Sequence, residues 1–274
     1  RLVSPSNAEL ADLALRVSRA AAALVRERRT GDVTVAATKS SDVDIVTEAD
    51  RASEALIRER LLAERPDDGV LGEEGDDVPS GSGIRWVVDP IDGTVNFLYG
   101  LPQYAVSIAA EREGRIVAGV VLNVAQGIEY VAHLADEHGP SAVTRNGAVI
   151  AVRGPAPLHL RLVSTGFNYD AGIRALQAGA LAALITEVRD VRRFGSCALD
   201  LCQVAEGAVD GYFEEGINLW DHAAGGLVAR VAGARMEMLD GVGGTDLVVC
   251  APTHGFDDLA AAITRAGFTR RVGE

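Results

Sequence analysis

The sequence predicts a mixed helix-and-strand protein, with an α+β front half over about residues 1–155 and an α/β back half over about residues 156–274. Three observations carry this prediction. Apolar residues recur at helical period near the N-terminus, short apolar runs bounded by turn residues fill the middle, and after Leu160 such runs alternate with helical patterns. No repeat, low-complexity tract or long linker divides the halves, so the 274 residues predict one compact domain.

Ser6-Asn7-Ala8-Glu9 has capping-box spacing, and Leu10, Leu13, Val17, Ala21 and Leu24 follow on one face, predicting a helix over 7–29. The polar segment 30–44 reads as a loop. Thr47-Glu48-Ala49-Asp50 opens a second helix that ends before Pro66. A turn at Asp67-Asp68-Gly69 leads to a short strand over 70–72, and a buried strand over 84–88 ends at Asp89-Pro90. Segments 104–112 and 116–123 form an antiparallel pair through Glu113-Gly114. The segments 129–134 and 142–152, with a turn at Asn146-Gly147, extend that sheet. Strands at 161–164, 188–194, 210–214, 235–239 and 247–251 then interleave with helices at 171–186, 197–206, 221–232 and 257–266.

Composition narrows the function. A 48% hydrophobic content marks an ordinary folded chain, and a net charge of −13 argues against nucleic acid as a general partner, because phosphate neutralisation needs clustered basic residues. The apolar stretch 20–25 is too short for a membrane span. It is closed by Arg26, Glu27, Arg28 and Arg29 with no cleavage-like site, which predicts neither a membrane anchor nor a signal peptide. Cys197, Cys202 and Cys250 form no disulfide framework or zinc pattern, which suits a cytoplasmic location. An acidic protein still binds a small phosphate ester if divalent cations occupy its carboxylates and reverse the local field.

Carboxylates gather where predicted strands end and helices begin. Glu73 and Glu74 follow the strand over 70–72, Asp89 and Asp92 bracket Pro90-Ile91, and Asp50 and Asp221 open helices. Magnesium takes hard oxygen ligands, and a pair of such ions needs about four or five carboxylates. The Ile91 carbonyl is a further candidate ligand, and Gly93 and Thr94 offer amides to an anion at a helix start. Singly, these are turn chemistry or helix N-terminal charges; such acids gathered at element ends favour a metal site. Lys39 is the only lysine among 26 basic residues, so a compact ammonium at this loop position is either required or a chance solvated lysine.

These residues resemble the inositol monophosphatase family. The stretch from Trp86 through Asp89-Pro90-Ile91-Asp92-Gly93-Thr94 to Phe97 is similar to its first signature, and Trp220-Asp221-His222-Ala223-Ala224-Gly225 to its second. Gly72-Glu73-Glu74, Lys39-Ser40-Ser41, the segment 44–50 and Gly195-Ser196-Cys197-Ala198 match in order and approximate spacing, so the resemblance covers nearly the whole chain. It implies a layered αβαβα sandwich of the sugar-phosphatase type, a homodimer, a magnesium requirement of two or three ions, and inhibition by lithium. By position it assigns Glu73, Asp89 and the Ile91 carbonyl to one ion and Asp89, Asp92 and Asp221 to a second, with Glu73 also touching a weaker third. Thr94, bonded to Asp50, would orient the attacking water, and Glu73 would help to take its proton. Gly93 and Thr94 would cradle the phosphate. Asp92, Glu214, Ser196 and Cys197 would meet the substrate.

Two positions depart from the family pattern. Its glycine-rich hairpin is here His138-Gly139-Pro140-Ser141-Ala142, and Ser196-Cys197 stands where relatives carry alanine or threonine. The expected reaction is magnesium-dependent hydrolysis of myo-inositol 1-phosphate. Fructose 1,6-bisphosphate, histidinol phosphate and adenosine bisphosphate are alternatives on the same metal site. Glu214 favours a polyhydroxy ring, and no aromatic or guanidinium platform for a nucleotide base is identifiable in the sequence. A regulatory or binding protein with residual phosphatase activity is the alternative of a different class.

Overall fold

A computed structural model describes residues 4–30, 35–38 and 45–270. In chain order the elements are α1 (Asn7–Arg29), β1 (Val35–Thr38), β2 (Ile45–Thr47), α2 (Glu48–Glu64), β3 (Gly69–Gly72), β4 (Ile84–Asp92), α3 (Thr94–Tyr99), β5 (Ala105–Arg112), β6 (Arg115–Asn123), β7 (Ile128–His133), β8 (Ala142–Arg145) and β9 (Ala148–Val149). There follow β10 (Leu162–Thr165), α4 (Ala171–Leu184), β11 (Asp190–Arg192), α5 (Cys197–Ala205), β12 (Gly211–Glu215), α6 (Leu219–Val231), β13 (Ala234–Asp240), β14 (Asp246–Pro252) and α7 (Phe256–Ala266).

Strands β3 to β9 form a seven-stranded sheet in sequential order, parallel only between β3 and β4. A second sheet has the order β11-β10-β12-β14-β13, with parallel pairs around β10 and antiparallel pairs around β14. Helices α1 and α2 pack on one face of the first sheet; α5 and α6 lie between the sheets; α4 and α7 cover the far face of the second. This is the αβαβα sandwich that the resemblance implies; an apolar cluster lies under each outer helix layer, and a third runs from the first sheet through α5 and α6 to the second.

Local sequence explains why the layers close. Ser6 and Glu9 exchange the two bonds of a capping box, with the Ser6 hydroxyl accepting from the Glu9 amide at 3.1 Å and Glu9 accepting from the Ser6 amide at 2.7 Å. Small residues set the approach of α6. A Cβ on Gly119 of β6 would lie 3.0 Å from the Ala224 Cα, and one on Gly225 would lie 2.9 Å from the Ala198 carbonyl of α5. The Ala223-Ala224-Gly225 sequence therefore lets α6 sit against both its sheet and α5.

Four readings change. The segment 30–44 is not all loop: Val35–Thr38 pairs antiparallel with Ile45–Thr47, a strand too short and too small in its side chains to show alternation. The strand beginning at Ile84 continues through Pro90 to Asp92, because the ladder to β5 is irregular between Asp89 and Asp92, where a missing amide costs no pairing. The expected strands 188–194 and 142–152 are shorter, the latter broken at Asn146, whose positive φ of 48° fits the tight turn.

Candidate active site

Strand β4 organises the site. Its parallel register pairs Gly72, the last residue of β3, with Val88, which sets the following Glu73 near Asp89. The break in pairing then turns Asp89 and Asp92 to a common side, and the Ile91 amide donates to Asp89 Oδ1 at 3.0 Å to fix the bend. Gly93 follows with φ 95°, and a Cβ there would come within 2.8 Å of the Gln103 carbonyl and 3.1 Å of the Gly195 carbonyl, so only glycine fits. Helix α3 starts at Thr94.

Asp221 arrives from the first turn of α6, where its carboxylate accepts from the Asn218 amide at 2.5 Å. One carboxylate oxygen from each of Asp89, Asp92 and Asp221 lies within 4.8 Å of the other two. Glu73 lines the same cavity without joining that mutual group among the described residues. Burial is the main reason that the Asp92 carboxyl is pushed up to about 6, with Glu214 adding to it against the bonds from Ser196 and Ala198. Burial likewise raises Asp221, and Asp92 and Glu73 raise it further. Three acids grouped this closely, Asp89 and Asp92 buried and Asp221 half-buried, repel one another as anions. A hard divalent cation relieves that repulsion, and an all-oxygen donor set suits magnesium.

Around this triad the sequence-predicted residues take distinct places. The Thr94 hydroxyl lies 2.9 Å from Asp50 Oδ1 and 3.1 Å from the Ile91 carbonyl. Asp50, fully buried, accepts through Oδ2 from the Thr47 amide at 2.8 Å and from the Thr47 hydroxyl, so a helix cap also holds the hydroxyl of Thr94 in place. Ser196 caps α5 and donates to Asp92 Oδ2 at 2.5 Å, and the Ala198 amide adds a second bond at 2.7 Å. Cys197 and Glu214 face the same cavity, of about 710 Å³. Glu215, by contrast, is 2% exposed and bonded to Gln177 and the Gly243 amide, so it braces the second sheet. Lys39 lies outside the described residues.

Sequence reasoning missed Glu54. It is 2% exposed, accepts from the Glu74 and Gly75 amides at 2.7 and 2.8 Å, and pairs with Arg58 at 2.8 Å. It therefore holds the turn that presents Glu73. Its spacing of four from Asp50, on the same face of α2, is the signal that was available. Sequence reasoning also did not single out Arg174, Arg193, Phe167 and Tyr169, which line the same cavity. Phe167, Tyr169 and Arg174 come from the β10–α4 connection and the start of α4, and Arg193 from the segment before α5, so no short motif announces the group.

Asp200 on α5 is a further buried acid, 1% exposed. Burial raises its carboxyl well above the usual range, partly offset by the Ser164 hydroxyl, and neither of its oxygens has a well-formed hydrogen bond. Its folded pKa exceeds the unfolded value of about 3.9, so the unfolded chain binds fewer protons above that value and stability falls as pH rises towards the folded pKa. Asp200→Asn removes that slope. In thermal melts from pH 4 to pH 8 the variant is expected to gain steadily on the wild type; a constant difference would show that Asp200 is not buried as a neutral acid.

Comparison with known proteins places these features. Residues 6–266 match the model of the inositol monophosphatase family. The chain is 44% identical to an inositol-1-monophosphatase of Mycobacterium bovis, over 96% of this chain and 97% of that protein. It is 37% identical to a protein of Pasteurella multocida named Nus factor SuhB, over 81% and 82%. The solved structure of Mycobacterium tuberculosis SuhB superposes with a TM-score of 0.80 at 42% identity, covering 97% of this chain and all of that one.

Proposed function

Because the chain belongs to the inositol monophosphatase family and so to the phosphoric monoester hydrolases, we propose that it hydrolyses a small phosphorylated polyol or sugar with magnesium, and that myo-inositol 1-phosphate is its leading substrate. The observation that carries this reading is the mutual 4.8 Å grouping of Asp89, Asp92 and Asp221 at a cavity that Glu73, Thr94 and Glu214 also line. A cytoplasmic homodimer inhibited by lithium is part of the same proposal. No helix among the described residues is long and apolar enough to cross a membrane.

Asp89, Asp92 and Asp221, with Glu73 and the Ile91 carbonyl, would hold two or three magnesium ions. When bound, the metal supplies Lewis acidity that favours a nucleophilic water and a departing ester oxygen. The protein's own groups do the rest. Thr94 donates its hydroxyl proton to Asp50 or the Ile91 carbonyl, which leaves its oxygen lone pairs to accept from the attacking water and aim it. Glu73 takes the proton as the water oxygen bonds to phosphorus. The ester P–O bond breaks on the opposite side, and the polyol oxygen is protonated from solvent. The Gly93 and Thr94 amides face the phosphate at an uncapped helix start. Glu214 accepts from a polyol hydroxyl.

That last role has a substrate-dependent test. Glu214→Gln is expected to lower kcat/KM for inositol 1-phosphate by roughly 10- to 100-fold, the worth of a hydrogen bond to a charged group, while an aryl phosphate without ring hydroxyls is hydrolysed nearly as before. An equal fall for both esters would move Glu214 to the metal site or to folding.

A second reading has one observation in its favour. Arg174 and Arg193 line the cavity of a protein of charge −13, and Arg193 already attracts Glu214 across it. A second phosphate on the substrate, as in fructose 1,6-bisphosphate or adenosine bisphosphate, would give them an anion. A panel of inositol 1-phosphate, histidinol phosphate and these two bisphosphates, run with magnesium, separates the readings. A preference for a bisphosphate that Arg174→Gln or Arg193→Gln abolishes would establish the second. No phosphate release from any ester would leave a binding role, such as the name Nus factor gives the Pasteurella relative.

A further inference from the structure

We propose that Tyr212 is a positioning residue that fixes Glu214 for its polyol contact; this rests on the assignment of Glu214 to the substrate made above. Tyr212 and Glu214 are two apart on β12 and so emerge on one face of the sheet, while Phe213 between them enters the outer apolar cluster. Tyr212 is completely buried, and its hydroxyl donates to Glu214 Oε2 at 2.7 Å. The Glu214 carboxylate also lies over Gly166, where a Cβ would come within 1.9 Å of its Cδ. The pairing of Thr165 with Phe213, and a bond from the Thr165 hydroxyl to the Phe213 carbonyl at 2.8 Å, keep Gly166 and Glu214 adjacent.

Glu214 is thus confined by a buried donor and by a backbone surface that only glycine provides. Oε1 has no hydrogen-bond partner among the described residues, so it keeps its full acceptor capacity for a hydroxyl. The arrangement answers a definite problem. A free glutamate would lose several rotatable bonds on meeting a substrate, whereas this one has lost them already. Burial raises its carboxyl above the ordinary value and the Tyr212 bond opposes that rise, so the same donor favours the anion that accepts most strongly. The Cys197 thiol neighbours the Tyr212 hydroxyl, which ties the departure from the family pattern at residue 197 to the same group.

The test is a double-mutant cycle. Tyr212→Phe and, separately, Gly166→Ala would be assayed on myo-inositol 1-phosphate and on an aryl phosphate, alone and combined with Glu214→Gln. Each single variant is expected to lose about tenfold in kcat/KM for the inositol ester, chiefly through KM, and less than about twofold for the aryl ester. In the Glu214→Gln background neither should add a further loss, because both act through the group already replaced. Turnover of the aryl ester shows that each variant is folded. Equal losses on both esters, or losses that add to that of Glu214→Gln, would overturn the positioning role. A selective loss in Glu214→Gln without one in Tyr212→Phe would defeat this proposal and leave the substrate assignment standing. No selective loss in Glu214→Gln would defeat both.

Discussion

Asp221→Asn is expected to lower turnover by at least about 100-fold at saturating magnesium while the fold survives, because a Lewis-acid ion contributes several kcal/mol to such a reaction. The substitution is nearly isosteric, and the amide oxygen of asparagine can still accept from the Asn218 amide, so the cap of α6 persists. What disappears is one anionic ligand from the three that meet within 4.8 Å. Removing one of three mutually repelling acids also relieves Asp92, so the variant should melt no lower than the wild type without metal. Steady-state kinetics across a magnesium titration, paired with melting curves, would check both parts. Near-normal turnover would remove Asp221 from the site.

Thr94→Val is expected to cost about 100- to 10,000-fold in kcat, the range for a positioned proton-transfer or water-orienting group. Valine keeps the volume and removes the hydroxyl, which the structure places between Asp50 and the Ile91 carbonyl. Binding of the ester should change far less, since the amide of residue 94 remains. Thr94→Ser restores the hydroxyl and is expected to recover most of the rate. If the valine variant lost affinity for the ester and kept its kcat, Thr94 would be a binding residue rather than one that aims the water.

Much of the candidate site was legible because its residues sit where chain geometry gives them away. Asp89, Asp92 and Gly93 occupy the end of a buried strand, and Asp221 the first turn of a helix, so local pattern locates each without knowledge of the fold. Glu54 was hidden because a glutamate inside a helix looks like a solvated one until the turn that it bonds is seen beside it. Arg174 and Arg193 were hidden for a related reason: they reach one cavity from α4 and from the β11–α5 connection, and nothing in sequence relates those segments. Helix limits were read closely for α1 and α5, where Ser6 and Ser196 are caps. Strand pairing was less accessible. Alternation of strands with helices suggested an α/β back half but not its strand pairing, and β13 and β14 join it antiparallel, since register depends on partners far along the chain.

The most direct measurement is inorganic phosphate released from myo-inositol 1-phosphate by the purified protein, with magnesium present and again with chelator in excess. The grouped acids at residues 89, 92 and 221 should repel a phosphate dianion unless cations occupy them, so release is expected with magnesium and none above background with chelator. Appreciable release in the chelator would contradict a metal-dependent site built on these three carboxylates.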